Sequence, residues 1–235
     1  MALAETSRAD YLSAMLKALV NAINDLTSPE LRSVLWKSIA LSIGLFAALW
    51  FAIEFVLSSL TLFPWAWMTT LLQLTTGLGL FAAFFFLMAP VTALFAGLFQ
   101  DSINAKIEKR HYAQDRPGRA VAMIPGLLMG LKFAALALGA NLIVLPLVFF
   151  AGFGAILFLI ANAYLISREY FEMAASRYMH PKNAAELRQH HFWKVFVAGL
   201  PAGLLAMVPF VNFTTPIFAT SYFLHFFKEV QKSSG

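Results

Sequence analysis

Glu54 and Lys132 sit inside long apolar runs of this 235-residue chain. At the centre of a bilayer each would cost roughly 2.5–3.5 kcal/mol to insert. Residues retained at that cost face a polar pathway or each other. For Lys132 a place at the headgroup level is the stronger reading, since Arg119 stands just before its run. Asn212, Thr214 and Thr215 form a third polar group within "VPFVNFTTPIFA". They either line a route for a permeant ion or cap helix ends exposed by a turn. His190 and His191 are neighbours and so cannot share a helix face, the other histidines are scattered along the chain, and no carboxylate nearby completes a ligand set. No metal site is expected from this pattern. Cysteine is absent, which removes thiolate ligands and thiol nucleophiles. There is no Ser–His–Asp arrangement, phosphate-cradling loop or dinucleotide fingerprint. The expected chemistry is therefore passage of a solute rather than catalysis, with no cofactor.

These residues must be positioned by membrane helices. The chain is 60% hydrophobic and 12% charged, against roughly a quarter charged in a soluble domain. Its net charge of +5 comes from basic residues flanking apolar runs, which orients a chain in a bilayer and gives no reason to expect nucleic acid. Glu5, Arg8, Asp10 and Lys17 interrupt any signal-like apolar core at the start. The spacing predicts an amphipathic interfacial helix over 8–26, with Tyr11, Leu12, Met15, Leu16, Leu19, Val20, Ile23 and Leu26 on one side and Asp10, Ser13, Lys17, Asn21 and Asp25 on the other. In "TSPELRS" Ser28 is the expected N-cap, Pro29 the first helical residue and Glu30 the complement to the helix dipole.

Four further apolar segments follow. Spanning helices are expected over 34–63 and 67–113, the second kinked at Pro90 and extended into water. Residues 120–166 read as a helical hairpin. The block 195–227 has about 33 residues and carries Pro201, Pro209 and Pro216, whereas two full crossings need about 40. It is expected to turn back within the bilayer, its turn satisfied by protein or by a water-filled cavity. Lys and Arg gather before Ser38, between Lys106 and Arg119, between Arg168 and Lys194, and after Phe227. Each apolar block thus starts and ends among positive charge, which places both termini, Asn104–Arg119 and Arg168–Lys194 in the cytoplasm. The expectation is a single all-α integral membrane domain over 1–235: two spanning helices, two partly penetrating helical hairpins and an amphipathic N-terminal helix. Turns that end mid-bilayer are surfaces that a second copy can cover, so a homo-oligomer is expected.

Four segments carry a resemblance: "SPELRS", "APVTALFAGLFQDSINAKIE", "ANAYLISREYFEMAASRY" and "VPFVNFTTPIFA". In order and spacing they resemble the CysZ sulfate permeases, grouped with the etoposide-induced-protein domain of bacterial membrane proteins. The resemblance implies an inner-membrane importer of sulfate that supplies cysteine synthesis. It further implies sulfate contacts at the start of the first span, carried over to Leu31, Arg32 and Ser33, where backbone amides and a guanidinium would meet the dianion. Glu30 stands where relatives often have glycine, and its carboxylate opposes an anion there. Arg32 has a second reading as a headgroup anchor. A membrane scaffold using the amphipathic helix and the basic segments, with no transport of its own, is the alternative from another class.

Overall fold

The computed structural model describes residues 8–59, 66–120, 153–208 and 211–232, with scattered helical residues between 128 and 139. Among the described residues every regular element is a helix: α1 (Arg8–Leu26), α2 (Pro29–Ser59), α3 (Ala66–His111), α4 (Phe153–Ser176), α5 (Pro181–His190), α6 (Phe192–Met207), a 3₁₀ turn (Val211–Thr214) and α7 (Thr215–Lys232). Most of the hairpin expected over 120–166 lies outside the described residues; α4 begins within that range and continues straight into the charged segment after Ile166. α3 runs as one helix through Pro90.

Sequence chemistry explains the boundaries. The Ser28 hydroxyl lies 3.4 Å from the Leu31 amide, and the Ser28 carbonyl accepts from the Arg32 amide at 3.0 Å. The cap thus satisfies donors that the first turn of α2 would otherwise leave open. Pro29 supplies the preset φ of a first helical residue. Pro216 plays the same part at the start of α7.

α7 is the centre of the fold, with Thr215 through Lys228 all buried. Packed around it are α1, α3 and α4. Tyr222, Phe223, Phe226 and Phe227 meet Phe171 of α4 and Tyr11 of α1, the last edge-on to Phe226 at 5.3 Å. The Tyr11 hydroxyl also donates to the Lys194 carbonyl, tying α1 to the start of α6. α1 differs from its sequence reading. The face against the protein is Tyr11, Ala14, Ala18, Ala22 and Asp25, while Leu12, Leu16, Val20 and Ile23 point outward at half exposure or more. Small alanines let α1 approach α7 closely, and the leucine stripe is left for an apolar surrounding.

The same logic seats α6 on α4. A methyl group added at Gly199 would lie 2.4 Å from the Ala163 carbonyl oxygen, and one at Gly203 would lie 3.0 Å from the Ala163 nitrogen. Two glycines four residues apart let the backbones touch, a mode of packing suited to a lipid setting where burial of large apolar groups drives little association.

By length and composition, among the described residues, one helix is able to cross a membrane: Pro29–Val56 of α2. Little of it is buried inside the protein, and Leu41, Ile43, Leu45, Leu49, Phe51, Phe55 and Val56 are exposed on it, as are Trp67, Leu71, Leu74, Leu78 and Phe81 on α3. Apolar exposure on this scale suits a surface that meets lipid or a second protein.

Candidate functional site

The end of α1, the start of α2 and the end of α3 converge. A cavity of about 480 Å³ opens there, lined by Asp25, Ser28, Glu30, Leu31, Lys106, Ile107, Lys109 and Arg110. Lys106, Lys109 and Arg110 stand at i, i+3 and i+4 on the last turns of α3 and so share one face. That face turns to the first turn of α2, where Lys106 Nζ comes within 3.4 Å of the Glu30 carbonyl. Three cations and the positive end of a helix dipole thus face one space, opposed by the carboxylates of Glu30 and Asp25.

Behind the cavity Asp25 is almost fully buried and forms a hub. His225 Nε2 and the Ser221 hydroxyl, both from α7, lie 2.9 and 2.8 Å from its Oδ2. His111 Nε2 lies 2.9 Å from Oδ1, and Arg110 stands 3.7 Å away. The Tyr112 hydroxyl is 2.7 Å from His225 Nδ1, so it donates to that nitrogen and leaves Nε2–H to face the carboxylate. Burial on its own raises the Asp25 carboxyl, but the hydrogen bonds from His225, His111 and Ser221 outweigh it and hold the group at about 2.

A second hub joins α3 to the segment after α4. Arg177, 3% exposed, pairs with both Glu108 oxygens at 2.9 and 3.2 Å and with Asp101 at 2.6 Å. Tyr178 donates to Glu108 at 2.7 Å, and the Gly118 amide reaches the same carboxylate at 3.3 Å. The segment after α4 is therefore docked on the end of α3, the helix that carries the cavity's cations.

The sequence-predicted residues are spread over the fold. Leu31 is buried and lines the cavity, with its amide taken by Ser28; Arg32 and Ser33 are exposed on the same turn and do not line it. Asn212, Thr214 and Thr215 occupy the turn between α6 and α7. Thr214 caps that turn through its bond to the Val211 carbonyl at 2.7 Å, while Asn212 Oδ1 and Thr215 Oγ1 are buried with no hydrogen-bond partner. Glu54 is half-buried near the far end of α2, 24 residues beyond Glu30, so the fold does not bring it to the cavity. Lys132 is helical and exposed. His190 and His191 meet edge-on at 4.8 Å at the junction of α5 and α6.

The profile of a family described as sulfate transporter CysZ/etoposide-induced protein 2.4 matches residues 18–216. The chain belongs to this family. No individual curated protein matches it. The matched segment of this CysZ/etoposide-induced-protein member contains the start of α2, the cationic face of α3, the Glu108–Arg177 hub and the α6–α7 turn. It ends before Ser221 and His225, so the Asp25 hub joins residues inside the match to residues beyond it. Sequence reasoning missed Lys106, Lys109 and Arg110 as a site, although their spacing on one helix face was readable. It had no local signal for Asp25 with His225, which are 200 residues apart.

Proposed function

We propose that this chain is a bacterial inner-membrane permease that admits sulfate, or a closely related oxyanion, to supply cysteine synthesis. The observation that carries the reading is the cavity at the start of α2, in which Lys106, Lys109 and Arg110 face a helix N-terminus. A small dianion needs several donors and positive potential in one place, and this arrangement offers both. Leu31 forms the apolar wall of the cavity. Arg32 and Ser33, on the exposed side of the same turn, add attraction for an approaching anion without direct contact.

In this reading the cavity is cytoplasmic, along with both termini and the segments Asn104–Arg119 and Arg168–Lys194. α2 and α3 span the bilayer. The hairpin α6–α7 turns back within it: α6 has 16 residues, about 24 Å, against a hydrocarbon core of about 30 Å. Only ten residues separate the turn at Val211 from Ser221, which sits level with Asp25. The unpartnered Asn212 and Thr215 oxygens at that turn suit a wetted route rather than a sealed core. Glu54 lies at the opposite end of α2 as a candidate outer element of the same route. Assembly into a homo-oligomer covers the lipid-facing turns, and the whole chain acts as one membrane domain.

Sulfate titrations of the purified protein at low and high salt test the site. Lys106→Gln and Arg110→Gln should each weaken binding by about tenfold, the scale of one charge-assisted hydrogen bond. Arg32→Ala should weaken it less, and Glu30→Gly should strengthen it, with both effects fading at high salt. Unchanged affinity in the Lys106 and Arg110 variants would remove the cavity from the anion route.

A further inference from the structure

The Asp25 hub has a composition that an anion site does not need. It places two imidazole nitrogens and one carboxylate around a common point, one residue each from the end of α1, the end of α3 and the middle of α7. The ligand-capable atoms of Asp25, His111 and His225 all lie within 4.8 Å of one another, and the two rings meet edge-on at 4.8 Å. From this geometry we propose that Asp25, His111 and His225 form a site for a divalent transition ion of the zinc class, beside the anion cavity and argued without reference to its role.

The donor set selects the ion. Two neutral imidazoles and a single carboxylate suit zinc and its neighbours, whereas magnesium and calcium require mostly oxygen ligands. Lys106, Lys109 and Arg110 lie close by. That cationic setting further penalises hard ions, which are held by charge, more than ions held by strong bonds to nitrogen. Arg110, 3.7 Å from the carboxylate, has a side chain about half exposed (49%) and can swing into solvent when the ion enters.

The site needs little rebuilding. Tetrahedral ligands at about 2.0–2.1 Å from zinc lie roughly 3.3 Å from one another, so the widest separation must close by about 1.5 Å. His111 can make that movement, since it stands at the rim with its side chain 26% exposed. His225 is fully buried and stays fixed. Metal binding moves the ring proton of His225 from Nε2 to Nδ1, where the Tyr112 oxygen at 2.7 Å is placed to accept it. A hydroxyl serves either tautomer, and such an outer partner is what orients a ligating histidine. Ser221 holds the remaining carboxylate oxygen. Asp25 also lines the 480 Å³ cavity, which leaves room beside it for a water as the fourth ligand.

The test is a Zn²⁺ titration of full-length protein carrying no polyhistidine tag and stripped of metal, in competition with a chromophoric chelator. One Zn²⁺ per chain is expected, with no competition from Mg²⁺ or Ca²⁺. His111→Ala, a change at the rim that the fold tolerates, should weaken binding at least tenfold. Tyr112→Phe should weaken it by about tenfold through loss of positioning. His180→Ala, at an exposed helix cap away from the hub, should leave affinity unchanged. In parallel melts Zn²⁺ should raise the transition of the wild type and fail to raise that of His111→Ala. Absence of stoichiometric binding, wild-type affinity in His111→Ala, or equal binding of Mg²⁺ would each overturn the assignment.

Discussion

Gly199→Ala probes the contact that fixes α6 to α4. The added methyl would stand 2.4 Å from the Ala163 carbonyl oxygen and 2.7 Å from Ser167 Cβ. The first of these is backbone, so no side-chain rotation relieves it, and α6 must move off α4 by nearly 1 Å. Overpacking of this kind costs about 1–3 kcal/mol, and the backbone clash puts it at the upper end. Alanine returns about 1 kcal/mol through its better helix propensity. The net loss is therefore about 2 kcal/mol, or ~4–8 °C in a chain of this size. At Gly203 the nearest atoms stand at 3.0–3.1 Å, and the two terms should nearly cancel. At Gly44 nothing lies within 4 Å, and alanine should be neutral or stabilising. Melts of the three variants in one detergent give the order Gly199→Ala < Gly203→Ala ≤ Gly44→Ala in stability. Equal melting of Gly199→Ala and Gly44→Ala would show that α4 and α6 are not in backbone contact.

Arg177→Met should cost about 3–5 kcal/mol, because the Glu108 charge is left buried without its cation; adding Glu108→Leu should restore most of the loss, and a double-mutant cycle on detergent-unfolding midpoints reads the coupling. His191 is held at about 4 by burial first and by its neighbours His190 and Lys194, and its Nε2 has no partner. The unfolded chain then binds a proton near pH 6.5 that the folded one refuses until about pH 4, so stability from this group is present above pH 6.5 and lost as pH falls through that window. Melts from pH 7 to pH 4 should fall less steeply in His191→Leu than in wild type, and parallel curves would remove the group from the acid response. A cysteine placed at Lys182, exposed in the segment Arg168–Lys194, should react with a membrane-impermeant maleimide only from the cytoplasmic side once the cells are opened; labelling from outside would defeat the cytoplasmic placement of that segment.

Much of the architecture was legible because it is written locally. Ser28 and Pro29 mark a helix start by the chemistry of one turn, and the helix begins where they say. Prolines 201, 209 and 216 and the shortness of 195–227 announced a broken hairpin, and the structure has two helices there joined through a 3₁₀ turn. The orientation of α1 was misread for a physical reason. Large apolar residues mark the buried face in water, but beside lipid both faces are apolar and the small residues mark the contact. Ala14, Ala18 and Ala22 carried that signal, as did Gly199 and Gly203 on α6. Asp25 was assigned to the solvated face because a lone aspartate gives no hint of partners 86, 196 and 200 residues away. The cavity was half legible: Leu31 came from its own turn, while the cations came from the far end of α3, brought there by the hairpin of α2 and α3.

The central claim is passage of an oxyanion through this chain, and uptake of radiolabelled sulfate into proteoliposomes containing only this protein tests it most directly. The account predicts saturable uptake above that of empty liposomes, competition by unlabelled sulfate, and a marked reduction when Lys106 and Arg110 are both changed to Gln in protein that remains folded. Uptake no greater than in empty liposomes, from correctly folded and inserted protein, would contradict it and leave the chain as a membrane scaffold.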